Sequence, residues 1–521
     1  MNSPSSPSAT QPCAFPDRIC VALADPSIEA LICNSAAQVS EFPFQELRLD
    51  YLPEPDRALA ELRVFIATHP NATFVATCRR KDNGGCFGGT PEAELQILLG
   101  AARAGCAFVD LSLESAEALG PGAVRQLQRA ARVILSWHDF SGTGDLAAVA
   151  DRMRPFQPDV CKIVPTATSL QDNLAVFGVL ERFRSVDGPP CVALAMGEKG
   201  LPSRVLGLRA GSAFTFAASD LGDATAPGQV SGRSLRTLYR VPQISAVTPV
   251  YAVAGDPIRS SLSPLMLNTA FAQQGRDAVY IPLLTNDPGE LFTFARELPV
   301  QGLSVTMPLK QSILPCLDTI DSLAARIGAV NTVRRTRAGQ FEGFNSDAAG
   351  IVVPLEERLP LQGARVLVLG AGGAARAAVF GCTDRGAEVS IMSRRPEASA
   401  HLAAEAGAQA IGRDQLARSP EFDVLINATP AGMSGNRTQL PLDPDELRAR
   451  VVFDLVYNPL ETPLLRAASE RGIQTIPGVE MFIHQGARQF ELWTGEPAPV
   501  DIMREAVLRA LGAPQLTRIP G

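Results

Sequence analysis

Eight short runs of β-branched and apolar residues recur between residues 17 and 220, and this recurrence constrains the chain more than any other feature. The runs are ICVALAD (19–25), FQELRLD (44–50), ATFVATCR (72–79), CAFVDLSL (106–113), ARVILSWHD (131–139), VCKIVPTA (160–167), CVALAMGE (191–198) and AFTFAAS (213–219). Stretches rich in Ala, Leu, Arg and Glu separate them, among them residues 90–105 and 116–131. Alternating β and α units imply a parallel sheet, and eight of them over roughly 200–250 residues predict a (β/α)8 barrel. Its expected bounds are 17–244.

At 521 residues the chain exceeds one ordinary core, so further domains are expected. A net charge of −7 gives no general attraction for nucleic acid or an anionic membrane, so any anionic ligand must be held by local cations. The ten cysteines show neither CxxC pairs nor metal-ligand spacing. They predict reduced, mostly buried thiols, no metal, and a cytoplasmic setting. The Ser/Pro-rich stretch 1–16 reads as a flexible tail rather than a leader, and no apolar run approaches the ~20 residues needed to span a bilayer.

Catalytic residues of such barrels belong at the C-terminal ends of the strands. The polar residues that interrupt the apolar runs fall there. Glu46, Arg48 and Asp50 share one face of the second run, because their spacing of two points them to the barrel interior. Arg79 ends the third run and His138 the fifth, Lys162 lies within the sixth, and Arg204 follows the seventh. Lysine is scarce, with Lys81, Lys162, Lys199 and Lys310 the only four. A lysine in apolar surroundings near other cations gives up its proton readily, and its amine can then form an imine with a carbonyl. The imine acidifies the neighbouring carbon, a histidine can move the proton, and arginines can hold a carboxylate. Schiff-base elimination or aldol chemistry follows.

The set ELRLD, TCR, SWHDF, CKIV, MGEKGLPSRVLG and TAPGQ resembles type I 3-dehydroquinate dehydratase. That resemblance implies Lys162 as the imine-forming lysine, His138 as general acid/base and Glu46 as the residue orienting it. It also implies Arg48, Arg79, Arg204, Thr225 and Gln229 around the substrate's carboxylate and hydroxyls. Where relatives often carry a second acidic residue after TxR, this chain has Asn83, and a family serine appears as Thr225.

The eightfold rhythm stops near residues 240–248. Further on, ARVLVLGAGGAARAAVFGC (364–382) reads as strand, glycine turn and helix, with Gly370, Gly372, Gly373, Ala374 and Ala375 small enough for a pyrophosphate to approach the backbone. The following strand ends in Ser393, Arg394 and Arg395 where an NAD site would want an acid, which suits the 2′-phosphate of NADP. Ahead of this lie Ser261 and Ser263, Lys310, Asn331 and Asp347; a lysine beside an aspartate can exchange the proton of a carbinol/ketone interconversion.

SLSP, VTMPLK, GAVNT, NSDAAG, GAGGAAR, NATPAGM, DLVYNP and PGVEMFIHQGARQFELWTG occur in that order and resemble shikimate dehydrogenase. The resemblance implies Lys310 and Asp347 as the catalytic pair and Ser261, Ser263, Thr306, Asn331, Tyr457 and Gln485 on the substrate. It puts Asn427, Ala428, Thr429, Gly478 and Met481 beside the cofactor. The expected organisation is a substrate lobe over 248–346, completed by helices about 485–517, and an NADP-binding lobe over 347–484. Together the two halves imply dehydration of 3-dehydroquinate followed by NADPH-dependent reduction to shikimate, two steps of aromatic amino-acid biosynthesis. A catabolic quinate or shikimate dehydrogenase is an alternative, against whose use of NAD the Arg394/Arg395 pair argues. A non-enzymatic metabolite sensor is another, which retention of Lys162, His138, Lys310 and Asp347 disfavours.

Overall fold

Period-two alternation in the first eight runs produces eight parallel strands: β1 Ile19–Leu23, β2 Phe44–Arg48, β3 Thr73–Thr77, β4 Phe108–Ser112, β5 Arg132–His138, β6 Val160–Val164, β7 Cys191–Ala193 and β8 Thr215–Ala218. The computed structural model describes residues 15–185, 188–221, 225–433 and 440–512. All but the last two residues of the expected tail, and residues 513–517 of the expected C-terminal helices, lie outside these. The strands run in the order β7-β6-β5-β4-β3-β2-β1-β8. At the remaining seam the Ala213 N–H, just ahead of β8, donates to the Cys191 carbonyl of β7 at 2.9 Å.

The inward faces change character along the strands. Phe44, Phe108, Ile134 and Val160, with Phe15 and Phe214, fill the N-terminal end as one apolar cluster. Phe44 and Phe214 meet edge to face at 4.9 Å. Two residues further along, the same faces carry Glu46, Asp110, Ser136 and Lys162, all buried. The barrel therefore has a greasy floor and a charged mouth.

The chain divides after Thr248 into a second compact unit. Its first sheet holds β9 Val250–Gly255, β10 Val279–Leu284, β11 Gly302–Val305, β12 Thr319–Ile320, β13 Thr332–Arg335 and β14 Phe341–Phe344, in the order β10-β9-β11-β13-β14-β12. Strand β13 is antiparallel to both neighbours. The second sheet is parallel throughout: β15 Arg365–Leu369, β16 Glu388–Met392, β17 Gln409–Ala410, β18 Phe422–Asn427, β19 Ala449–Asp454 and β20 Gln474–Ile476. Its order, β17-β16-β15-β18-β19-β20, reverses between β15 and β18, which opens a crevice at their carboxyl ends.

Helices Asp347–Glu356 and Gly478–Thr494 pack against each other between the sheets. The helix Val500–Gly512 returns to the first sheet's side, where Met503 and Val507 join Met266 and Phe271 in one apolar cluster. Among the described residues no helix is long and apolar enough to cross a membrane.

Candidate functional site

Barrel closure brings the inward residues of strands far apart in sequence into direct contact. Lys162, 4% exposed, donates to Asp110 Oδ2 at 2.9 Å and to Glu46 Oε1 at 3.3 Å. Its ammonium also lies 3.7 Å from the centre of the Phe216 ring. The sequence predicts apolar and cationic company for this lysine; its nearest charges are instead two carboxylates, because β2 and β4 face β6 across the interior.

Asp110 gathers the rest. It accepts from Arg79 Nη2 at 2.8 Å and from the Ser136 hydroxyl at 2.5 Å. Burial by itself would raise this carboxyl, but the Lys162 and Arg79 charges outweigh burial and hold it well below the usual carboxylate range. Arg79 Nη1 lies 3.1 Å from His138 Nε2. A guanidinium only donates, so Nε2 accepts and the imidazole is neutral, its proton on Nδ1. Burial, then the Arg79 and Lys162 charges, keep His138 far below its ordinary value of 6.5. Glu46, expected to orient the histidine, accepts from Lys162 and from Thr77 Oγ1 at 2.7 Å; the group on His138 Nε2 is Arg79.

Arg48 is locked to Asp50 by two bonds of 2.9 and 2.8 Å, close enough that its charge also bears on His138. Arg204 is different. It is 1% exposed, Nη2 donates to the Pro227 carbonyl at 3.1 Å, and Nε has no partner among the described residues. Burial pushes it down to about 10. Among the described residues no carboxylate lies in ion-pair reach of this guanidinium, unlike Arg48 and Arg79. Pro227 belongs to the turn in which Gln229 Oε1 accepts from the Thr225 N–H (2.8 Å) and hydroxyl (3.1 Å). Asn83 does not reach the histidine: its Nδ2 donates to Ser112 Oγ at 2.7 Å.

In the second unit, Lys310 Nζ meets Asp347 Oδ2 at 2.5 Å, and Asn331 Nδ2 donates to the other carboxylate oxygen at 2.7 Å. Asn331 Oδ1 accepts from the Ser346 N–H at 2.7 Å, which fixes the amide's orientation. Lys310 remains 31% exposed on its side chain, and Asp347 10%. The Ser263 N–H donates to Ser261 Oγ at 3.3 Å. Thr306 is anchored by its own N–H to the Ala254 carbonyl at 2.9 Å. Tyr457 stacks on Phe482 at 5.3 Å, burial raising its phenol, and Gln485 donates to the Phe482 carbonyl at 3.0 Å. Lys310, Asp347 and Asn331 thus touch directly, whereas Ser261/Ser263 and Tyr457/Gln485 form two further groups.

At the crevice of the parallel sheet, Gly370 follows β15 with φ +114°, a conformation that favours glycine. A Cβ added at Gly372 or Gly373 would meet nothing within 4 Å, so open space lies over the N-terminus of the helix Gly373–Thr383, whose first turn includes Ala374. Asn427 ends β18 opposite Leu369, but its side chain is buried: Nδ2 donates to Asp454 at 2.8 Å, and Oδ1 accepts from the Thr429 hydroxyl at 2.6 Å. Ser393 donates to the Arg395 carbonyl at 2.7 Å. Arg394 and Arg395 are exposed. Gly478 and Met481 occupy the first turn of their helix.

The family model for type I 3-dehydroquinase matches residues 19–246. That for the shikimate dehydrogenase substrate binding domain matches 253–333, and that for the shikimate 5′-dehydrogenase C-terminal domain matches 478–508. The chain is 33% identical over 509 residues to the chloroplastic bifunctional 3-dehydroquinate dehydratase/shikimate dehydrogenase of Arabidopsis thaliana, covering 94% of this chain and 83% of that one. The chain belongs to this bifunctional family. It is also 40% identical over 280 residues to the NADP(+) shikimate dehydrogenase of Methanosarcina acetivorans, 51% of this chain and 99% of that one. Among solved structures, the dehydroquinate dehydratase and shikimate dehydrogenase from S. pombe is 25% identical, with 95% of this chain and 99% of that one covered and a TM-score of 0.46.

Within this bifunctional framework three polar residues escaped the sequence reading. Asp110 and Ser136 line the same interior as Lys162, and a signal for Asp110 existed: a lone acid inside the apolar run CAFVDLSL. Asp454 ends β19, fully buried, and burial raises its carboxyl against bonds from Thr462 (2.5 Å) and Asn427. It holds Asn427, and through it the turn at Thr429.

Proposed function

We propose that the barrel dehydrates 3-dehydroquinate to 3-dehydroshikimate through an imine on Lys162, and that the second unit reduces that product to shikimate with NADPH. The observation that carries this reading is the chain of contacts Lys162–Asp110–Arg79–His138 at the barrel mouth. The amine attacks the ketone carbon, the adjoining carboxylates relay two protons from its nitrogen to the carbonyl oxygen, and that oxygen leaves as water. Neutral His138 removes the proton beside the imine carbon and returns it to the departing hydroxyl, so one further water leaves. Water then hydrolyses the imine and frees Lys162. Arg204 takes the substrate carboxylate, for which its unpaired Nε is the support, and Arg48, Arg79, Thr225 and Gln229 complete the pocket.

In the second unit Lys310 delivers a proton to the reduced oxygen and Asp347 holds the lysine in place. Ser261, Ser263, Thr306, Asn331, Tyr457 and Gln485 hold the carboxylate and hydroxyls. The residues fit NADP: the open space at Gly372 and Gly373 admits a pyrophosphate, Gly370 and Ala374 flank it, and Ser393, Arg394 and Arg395 suit a 2′-phosphate. Asn427, Thr429, Gly478 and Met481 line the remainder. When bound, NADPH supplies the hydride. The nine described cysteines are free, which supports a reducing compartment such as the cytoplasm.

Purified protein given 3-dehydroquinate and NADPH should accumulate shikimate; no shikimate with either NADPH or NADH would overturn the reading. Replacing Arg394 and Arg395 by Ala should raise KM for NADP by about 10- to 100-fold while leaving KM for NAD within about twofold. Equal effects on both cofactors would rule out a 2′-phosphate role.

A further inference from the structure

Glu94 is a charge that the reaction so far leaves unused. It lies on the helix Pro91–Ala104, outside the ring of strands, and is 0% exposed. An acid on an outer helix ordinarily faces water. Here Oε2 accepts from Ser115 Oγ at 2.5 Å, and the one Ser112 Oγ proton can go to Ser115 Oγ at 3.1 Å or to Glu94 Oε1 at 3.4 Å. Ser112 ends β4, two residues beyond Asp110 on the same face, and accepts from Asn83 Nδ2 at 2.7 Å. Asn83 belongs to the short turn Lys81–Asn83 that follows Arg79 and Arg80. The next residue, Gly84, takes φ +79° beneath the Phe140 ring, which lies 2.0 Å from where a Cβ would stand. Phe140 in turn stacks on His138, with centroids 6.4 Å apart and planes 19° apart.

We propose, resting on the dehydratase reading of the barrel, that Glu94 is a positioning residue for that site, fixing through Ser112 and Asn83 the turn that follows Arg79 and packs on Phe140. The ionised carboxylate suits this role. It accepts from Ser115, so that Ser115 Oγ or the carboxylate itself takes the Ser112 proton, and a lone pair of Ser112 Oγ is left facing Asn83. Protonated Glu94 must itself donate to one serine, and the Ser112 proton is then free to turn elsewhere. The groups facing Glu94 are Arg79 and Arg80 from the end of β3, Asp110 from β4 and the Cys78 thiol. Burial pushes the Glu94 carboxyl up to about 7, with the Ser115 bond and Arg79 acting against it. Its proton is therefore lost as pH rises through neutrality, and the anchored form is the one above that point.

The test measures kcat/KM for dehydration of 3-dehydroquinate from about pH 6 to about pH 8.5 in the full chain. The wild-type value should rise about fivefold across pH 7. Glu94→Gln, which keeps polar contacts with both serines, should remove that inflection. Ser112→Ala and Asn83→Ala cut the link while leaving Glu94 in place, and each should flatten the same inflection and lower kcat/KM by about tenfold. Borohydride labelling of Lys162 in the presence of 3-dehydroquinate identifies variants whose barrel is intact. A Glu94→Gln protein that labels and keeps the wild-type inflection overturns the role of Glu94 alone. Labelled Ser112→Ala and Asn83→Ala proteins with wild-type profiles would overturn the link. Wild-type protein without any dehydration overturns the underlying reading of the barrel, and with it this role.

Discussion

Replacing Lys162 by Ala should lower kcat for dehydration by roughly 10⁴-fold or more, because the imine needs a buried amine inside the ring of strands, and Lys81 and Lys199 lie on the turns after β3 and β7 instead. The neighbouring polar groups shape this expectation. Lys162 is the cation that two buried carboxylates, Asp110 and Glu46, share in contacts of 2.9 and 3.3 Å. Removing it leaves Asp110 paired with Arg79 and Glu46 with only the more distant charge of Arg48, and uncompensated buried charge costs about 3–5 kcal/mol. The barrel should therefore melt earlier as well as lose activity, and thermal unfolding followed beside the assay separates the two effects. Shikimate oxidation by the second unit should persist in the same sample. The chemical test is direct: borohydride added with 3-dehydroquinate should attach a substrate-derived mass to Lys162 in the wild type. An unlabelled Lys162 with dehydration intact would sink the imine. His138 enters the same experiment as a neutral base, so a His138→Ala protein should still trap the imine while dehydration falls by about 10²–10⁴-fold.

The second large effect lies in the other unit. Lys310→Ala should reduce kcat for shikimate oxidation by about 10³-fold while dehydration stays at its wild-type value. Lys310 bridges solvent and Asp347, 31% exposed on its side chain and 2.5 Å from the carboxylate, which suits a group that must both hand over and recover a proton. Asp347→Asn should act in the same direction but less severely, since Asn331 still holds the side chain from its other side at 2.7 Å. KM for shikimate should move by less than about tenfold in either variant, because the loss falls on the proton transfer rather than on binding. A Lys310→Ala protein that lost dehydration too would contradict independent sites.

Much of this was legible beforehand, and particular residues show why. Period-two alternation is a local property, so β2 could be read with Glu46 and Arg48 inward, and β6 with Lys162 inward, from a few residues each. The glycine turn at 370–373 was legible for the same reason: strand, turn and helix are contiguous. The companions of Lys162 were not. Asp110 lies 52 residues away and Glu46 116, and nothing local says that their strands face one another across a closed barrel. Glu94 was hidden further still, since a helical acid near apolar residues carries no mark of whether it points to water or to Ser112 and Ser115. Asn427 illustrates the converse: it ends β18, but its side chain turns inward to Asp454, whose burial follows only from the stacking of helices on the sheet.

By itself, then, the sequence determined which segments become strands and helices, which residues share a face, and which chemistry-bearing types stand at the strand ends, because these depend on backbone periodicity over a few residues. Only the tertiary structure decided that the lysine is held by two carboxylates, that His138 is neutral against Arg79, and that Arg204 has no counter-ion among the described residues. Those outcomes depend on charge, burial and distance between groups that meet only when the barrel closes, and Coulomb interactions and desolvation act through space rather than along the chain.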